Sequence, residues 1–146
     1  SMTPAIIALA QFDVASYDII NNNGKPTNKV ISVPKKISHS QYLKNTIIGC
    51  LTVIIDTKKI RIPLMKDIRT SHDMLLWLDI LKNEGYAFGL NQVLASYRLS
   101  SNSNTKNKLF AAIDVWRVYR NYERLNVIDS FYNFMHYAFN ALKKRI

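Results

Sequence analysis

Ile47 to Ile55, reading Ile-Ile-Gly-Cys-Leu-Thr-Val-Ile-Ile, constrains this chain more than any other stretch. It is an almost unbroken apolar run rich in β-branched residues. Such a run predicts a strand buried on both faces, as in the sheet of an α/β protein. The clearest helix follows it. From Ser71 to Glu84, Leu75, Trp77, Leu78 and Leu81 form an apolar stripe, with Thr70 or Ser71 suited to cap its start. Gly85 stands where a left-handed C-cap belongs. Tyr86 to Leu99 then reads as a strand, a turn at Gly89 to Asn91, and a second strand.

Upstream, Phe12, Val14, Ala15, Tyr17, Ile19 and Ile20 mark a strand. Asn21-Asn22-Asn23-Gly24-Lys25-Pro26 is a turn signal, since Asn and Gly tolerate positive φ and Pro fixes its own. Val30 to Val33, ended by Pro34, is the returning strand of a hairpin. Ser38 to Lys44 predicts a short helix capped by Ser38 or Ser40. Lys58 to Lys66 is a basic connection broken by Pro63. Ser100 to Asn104 reads as a flexible polar loop. Two amphipathic helices finish the chain. Over Asn107–Arg124, Leu109, Ala112, Ile113, Trp116 and Tyr119 share a side, edged by Arg117, Arg120 and Arg124. Over Asn126–Leu142, Val127, Ile128, Phe131, Phe134, Met135, Ala138, Phe139 and Leu142 recur at helical spacing, and Asn126 with Asp129 resembles a cap pair.

The chain has 146 residues, 48% of them hydrophobic and 21% charged, which suits one domain with a real core and excludes a disordered tail. No apolar run reaches the length of a membrane span, and Ala5–Ala10 is too short for a signal-peptide core. Cys50 is the single cysteine, so no internal disulfide forms and a reducing cytoplasm is expected. His39, His72 and His136 are too scattered for a zinc site, and no structural metal is expected. The net charge of +10 implies an anionic partner, or else a solvated surface that is simply basic. Nucleic acid is disfavoured: the Lys and Arg residues are dispersed, and no RNA-binding or zinc-finger motif accompanies them.

Asp73 falls in the first turn of its helix, where amide dipoles favour a carboxylate. There it can act as a general base on a bound hydroxyl, or simply stabilise the helix, as first-turn acids commonly do. Arg98, ahead of Ser101 and Ser103, is a candidate diphosphate clamp, with a solvated strand-end Arg as the alternative. Cys50, inside the expected strand, reads as a small core residue rather than a nucleophile. The chain has no Walker loop, no GxGxxG, no GxSxG and no DxD triplet.

Lys44-Asn45-Thr46-Ile47-Ile48-Gly49-Cys50-Leu51-Thr52-Val53, Asp67-Ile68-Arg69 through His72-Asp73, and Leu76-Trp77-Leu78 resemble, in order and spacing, the second half of bacterial family 2 glycosyltransferases. Tyr86-Ala87, Leu90-Asn91, Val93-Leu94-Ala95 and Tyr97-Arg98 continue the likeness, which extends from about Phe12 to the C-terminus. The resemblance implies an α/β fold: a truncated GT-A-like sheet with flanking helices and two C-terminal amphipathic helices. Residues 1–105 would form the acceptor-side part and 106–146 a helical extension.

The implied activity is inverting transfer from a nucleotide sugar to a surface-polysaccharide or lipid-linked acceptor. The family's base matches Asp73. His72 stands where Glu or Gln is more usual, which puts its acceptor contacts in doubt. Gly49, Cys50 and Thr52 would line the acceptor pocket, and Arg98, Ser101 and Ser103 would approach the diphosphate. Family members begin with a nucleotide-binding half ending in a DxD-like site for Mn or Mg, and the match starts after it. The chain alone is therefore expected to be inactive, as half of an active site.

Phe131, Tyr132, Phe134, Tyr137 and Phe139 ahead of Lys143-Lys144-Arg145 suit the surface of an anionic membrane, and a peripheral site on its inner face is expected. A core helix, or one packed on a dimer mate, is the equal alternative. Two other readings of the whole chain stand beside the enzyme: a non-catalytic module that self-associates through surface the missing half would cover, and a basic module binding membrane or nucleic acid.

Overall fold

The computed structural model describes residues 10–67, 71–99 and 105–144. Arg69, Thr70, Ser101, Ser103 and most of Ala5–Ala10 lie outside the described residues. In chain order the elements are β1 (Phe12–Ile20), β2 (Pro26–Ile31), β3 (Lys36–Ser38), α1 (His39–Lys44), β4 (Val53–Ile55), α2 (His72–Glu84), β5 (Tyr86–Arg98), α3 (Thr105–Arg117) and α4 (Val127–Lys143). A 3-10 turn at Cys50–Thr52 precedes β4, and a π-helical segment at Val118–Tyr122 follows α3. This mixed α/β arrangement agrees with the expected GT-A-like fold class.

The sheet runs β2-β1-β5-β3. β1 pairs antiparallel with β2 over Tyr17–Ile20 and with β4 over Phe12–Val14, so both share one of its edges. β5 runs parallel along the other edge, from Asp13 opposite Phe88 to Ile20 opposite Arg98. The expected hairpin is present. The Asn21 amide donates to the Lys25 carbonyl, the Gly24 amide donates to the Asn21 carbonyl, and Gly24 adopts φ +79°.

β2 and β3 are separated by four residues yet lie at opposite ends of the sheet path. Ser32–Lys35 therefore crosses over β1 and β5. The Val33 amide donates to Ser16 Oγ, and the Gly89 amide donates to the Lys35 carbonyl. Pro34 passes so close to Gly89 that a Cβ there would stand 1.9 Å from its carbonyl oxygen. Only glycine fits that crossing.

Two expectations are corrected here. The run Ile47–Ile55 is not one strand. Ile47 and Ile48 are buried in irregular chain, Cys50–Thr52 turns, and only Val53–Ile55 pairs, with Leu51 and Ile54 exposed. Backbone geometry overrides composition, because β2 already occupies the rest of β1's edge. Likewise Tyr86–Arg98 is one continuous strand rather than two. The Gly and Asn residues that signalled a turn are absorbed as register shifts against Ala15, Ser16 and Tyr17.

α2 buries Met74 through Leu78, Ile80 and Leu81, and Trp77 stacks at 5.8 Å from Phe12. Gly85 ends it at φ +86°, its amide donating to the Leu81 carbonyl. α1 carries the expected cap: Ser38 Oγ accepts from the Gln41 amide, and Gln41 returns a bond to the Ser38 amide. Beyond α3, the π-helical segment turns Tyr119 inward to donate to the Leu43 carbonyl. It also brings Glu123 to His39 Nε2 at 2.8 Å and Lys82 Nζ at 2.7 Å. Three helical elements are thereby tied together at one carboxylate.

Candidate active site

The N-terminus of α2 is built differently from a simple cap. Ser71 sits in the left-handed region at φ 59° and its side chain makes no capping bond. Asp73 serves instead: its Oδ1 accepts from the Met74 amide at 2.9 Å. That bond fixes the carboxylate's orientation and leaves Oδ2 turned toward Cys50, whose Sγ donates at 3.5 Å. Asp73 is half-buried, within reach of solvent.

Cys50 reaches this position because Ile47 and Ile48 anchor the preceding chain in the core. Gly49 at φ −104° then starts the 3-10 turn. The expectation of a core cysteine is corrected, for the thiol is exposed. Partial burial first, and then the Asp73 charge, push its pKa up from the ordinary thiol value. It therefore stays protonated at neutral pH and can offer a proton to the carboxylate. Behind the turn, Thr52 is buried and its hydroxyl finds no partner among the described residues.

Tyr42 of α1 completes the group, and nothing in its local sequence singles it out. It is 2% exposed, and burial, then the charges of Asp73 and Cys50, raise its phenol well above the ordinary value. Its only signal in the sequence is its place on the apolar side of a short helix. The assembly thus offers an oriented carboxylate beside neutral hydroxyl and thiol groups, which suits accepting a proton from a bound alcohol.

The other expected site residues are distributed as follows. His72 is exposed at the first position of α2, adjoining Asp73. Gly49 begins the turn that carries Cys50. Arg98 is at the hairpin end of β5, opposite Ile20, where Nη1 donates to the Asn22 carbonyl at 3.0 Å and the guanidinium lies over Gly24. Its expected companions Ser101 and Ser103 lie outside the described residues. Among the described residues no group of three or more His, Cys, Asp or Glu side chains could hold a metal ion.

Comparison with known proteins gives the site its context. The chain is 43% identical over 135 residues to TuaG of Bacillus subtilis, a glycosyltransferase whose name assigns it provisionally to teichuronic acid biosynthesis; the match covers 92% of this chain and 54% of TuaG. It is 33% identical over 134 residues to WfgD of Escherichia coli, named as a UDP-Glc:α-D-GlcNAc-diphosphoundecaprenol β-1,3-glucosyltransferase, covering 91% of this chain and 51% of WfgD. An uncharacterized glycosyltransferase of Haemophilus influenzae is 27% identical over 117 residues. No family model matches, and no solved structure gives a significant match. The chain is homologous to glycosyltransferases and spans about half the length of these relatives.

Proposed function

We propose that this chain is the acceptor-side half of an inverting glycosyltransferase and that Asp73 is its general base. The observation that carries the reading is the meeting of Asp73 Oδ2 with Cys50 at the tip of α2, in a chain homologous to glycosyltransferases. The acceptor hydroxyl binds between this carboxylate and the Gly49–Thr52 turn. As it gives its proton to Asp73 Oδ2, its oxygen forms a bond to the anomeric carbon. The bond from that carbon to the nucleotide diphosphate breaks from the opposite face, and the leaving group takes the electron pair. Configuration at the carbon is inverted. His72 borders the acceptor, while Arg98, with Ser101 and Ser103, attends the departing diphosphate.

The donor nucleotide and its Mn or Mg ion fall to the half of the relatives outside the match. Teichuronic acid in one relative's name and diphosphoundecaprenol in another's favour a glycan or lipid-linked acceptor in polysaccharide assembly.

Transfer from UDP-glucose to GlcNAc-diphosphoundecaprenol is the first reaction to assay, with the residues joined to a donor-binding half. Asp73→Asn should lower kcat about 10²–10⁴-fold while nucleotide binding persists. Unchanged kcat removes Asp73 as base, and a product that retains the donor's anomeric configuration removes inversion. The 146 residues alone, given Mn or Mg, should transfer nothing. Turnover by them that Asp73→Asn abolishes would overturn the division of labour.

A further inference from the structure

α4 is turned inside out relative to an ordinary amphipathic helix. Its inward side carries Ser130, Asn133 and Asn140 with the rings of Phe134 and Tyr137. Ser130 Oγ donates to the Leu125 carbonyl and Asn133 Nδ2 to the Asp129 carbonyl. Asn140 Nδ2 donates to the Lys44 carbonyl. Its outward side carries Ile128, Phe131, Tyr132, Met135, Phe139 and Leu142, each more than half exposed. Their spacing puts them on one continuous stripe. An apolar stripe of this length facing water is a binding surface, because leaving it wet forfeits the burial that large side chains favour.

The charges around the stripe identify its occupant. Lys44 Nζ lies 4.9 Å from the Tyr132 ring centre, and Lys143 Nζ lies 4.7 Å from that of Phe139. Two clefts of about 270 and 240 Å³ open beside α4. They lie on the Asn140 side of α4 rather than on the stripe, and Lys144 Nζ is turned inward to the Thr46 carbonyl, so Lys44 and Lys143 are the cations that border the stripe. Cations bordering an aromatic and aliphatic stripe match the layered chemistry of a bilayer surface, with anionic phosphates outside and acyl chains within. A second copy of a chain with net charge +10 would bring like charges together along the same border. No described helix is long and apolar enough to cross a membrane, so α4 would lie in the surface plane.

We propose that the outward face of α4 docks on an anionic lipid bilayer, with Phe131 and Phe139 entering the acyl boundary and the flanking lysines meeting headgroup phosphates. This surface is independent of Asp73 and does not rest on the transfer reaction. The test is sedimentation of the purified protein with vesicles of phosphatidylcholine alone or mixed equally with phosphatidylglycerol. Binding is expected only to the mixed vesicles, weakening as salt rises. Phe131→Ser with Phe139→Ser should lower the partition coefficient at least tenfold, about 1.4 kcal/mol, with an unchanged circular dichroism spectrum because both side chains are exposed. Binding that survives the double substitution, or no binding to the mixed vesicles, overturns the proposal. A dimer in light scattering that the same substitution dissolves, with vesicle binding unaltered, assigns the face to a second copy and overturns it equally.

Discussion

Gly89→Ala should be among the most damaging single-methyl additions this fold can receive. The new Cβ would stand 1.9 Å from the Pro34 carbonyl oxygen and 2.8 Å from its carbonyl carbon, where real Cβ contacts are essentially never under 3.0 Å. Both atoms are backbone, so no side chain can swing aside, and the crossover must lift by about 1 Å. Lifting it stretches the Gly89 amide bond to the Lys35 carbonyl, worth about 1 kcal/mol. The displaced contacts of buried Val33 add the cost typical of overpacking, about 1–3 kcal/mol. The total is about 2–4 kcal/mol, a large part of the ~5–15 kcal/mol that holds an ordinary domain together. With a urea dependence of about 2 kcal/mol per molar, the unfolding midpoint should drop by about 1–2 M. Gly49→Ala is the control: φ is −104° and no heavy atom lies within 4 Å of its Cβ, so the midpoint should barely move. A Gly89→Ala midpoint within about 0.3 M of the parent would refute the reasoning.

Three more outcomes follow from the side-chain contacts. Glu123 accepts from His39 and Lys82; burial pushes its carboxyl up, but those two bonds and charges outweigh it and hold the pKa below 4.5. Its stabilisation is therefore complete above pH 4.5 and lost as pH falls through the depressed value. Glu123→Gln should cost about 1–2 kcal/mol at neutral pH and flatten the acid limb of a thermal-melt series. Asp73→Asn removes a charge that raises the Cys50 thiol pKa, so iodoacetamide should alkylate Cys50 faster in the variant at pH 7 to 8. Slower or equal alkylation would contradict the contact. Tyr119→Phe strands the Leu43 carbonyl and should lower stability by about 1–3 kcal/mol in urea titration, with no change in helix content.

Local hydrogen-bond chemistry was the legible part of this chain. The Ser38 cap, the turn after Asn21, the Gly85 stop and the Asn126 cap each depend on residues within a few positions, and each stands as read, whereas the return bond from Gln41 is seen only in the structure. Ile47–Ile55 reads as one strand, yet an unbroken apolar run records burial, not conformation. Ile47 and Ile48 are buried without any strand. Ser71 has the residue type of a cap, yet Asp73 takes up the Met74 amide from inside the helix. The contact between Cys50 and Asp73 joins residues 23 apart through tertiary packing, and no periodicity encodes it. The hydrophobic period of α4 was visible too, but a period names a face without saying which way it points.

The crossover at Ser32–Lys35 also dictates an order of assembly. It carries the chain to the far side of a slot that β5 must later fill, more than fifty residues downstream. Until Tyr86–Arg98 leaves the ribosome, β1 and β3 flank an empty position and the inner edge of β1 has unpaired amides and carbonyls. The hairpin and α1 can form early from local contacts, but the sheet closes only when its latest strand enters the middle. A nascent chain stalled before Tyr86 would leave that edge of β1 open to intermolecular pairing, so β5 is the strand whose arrival protects the sheet.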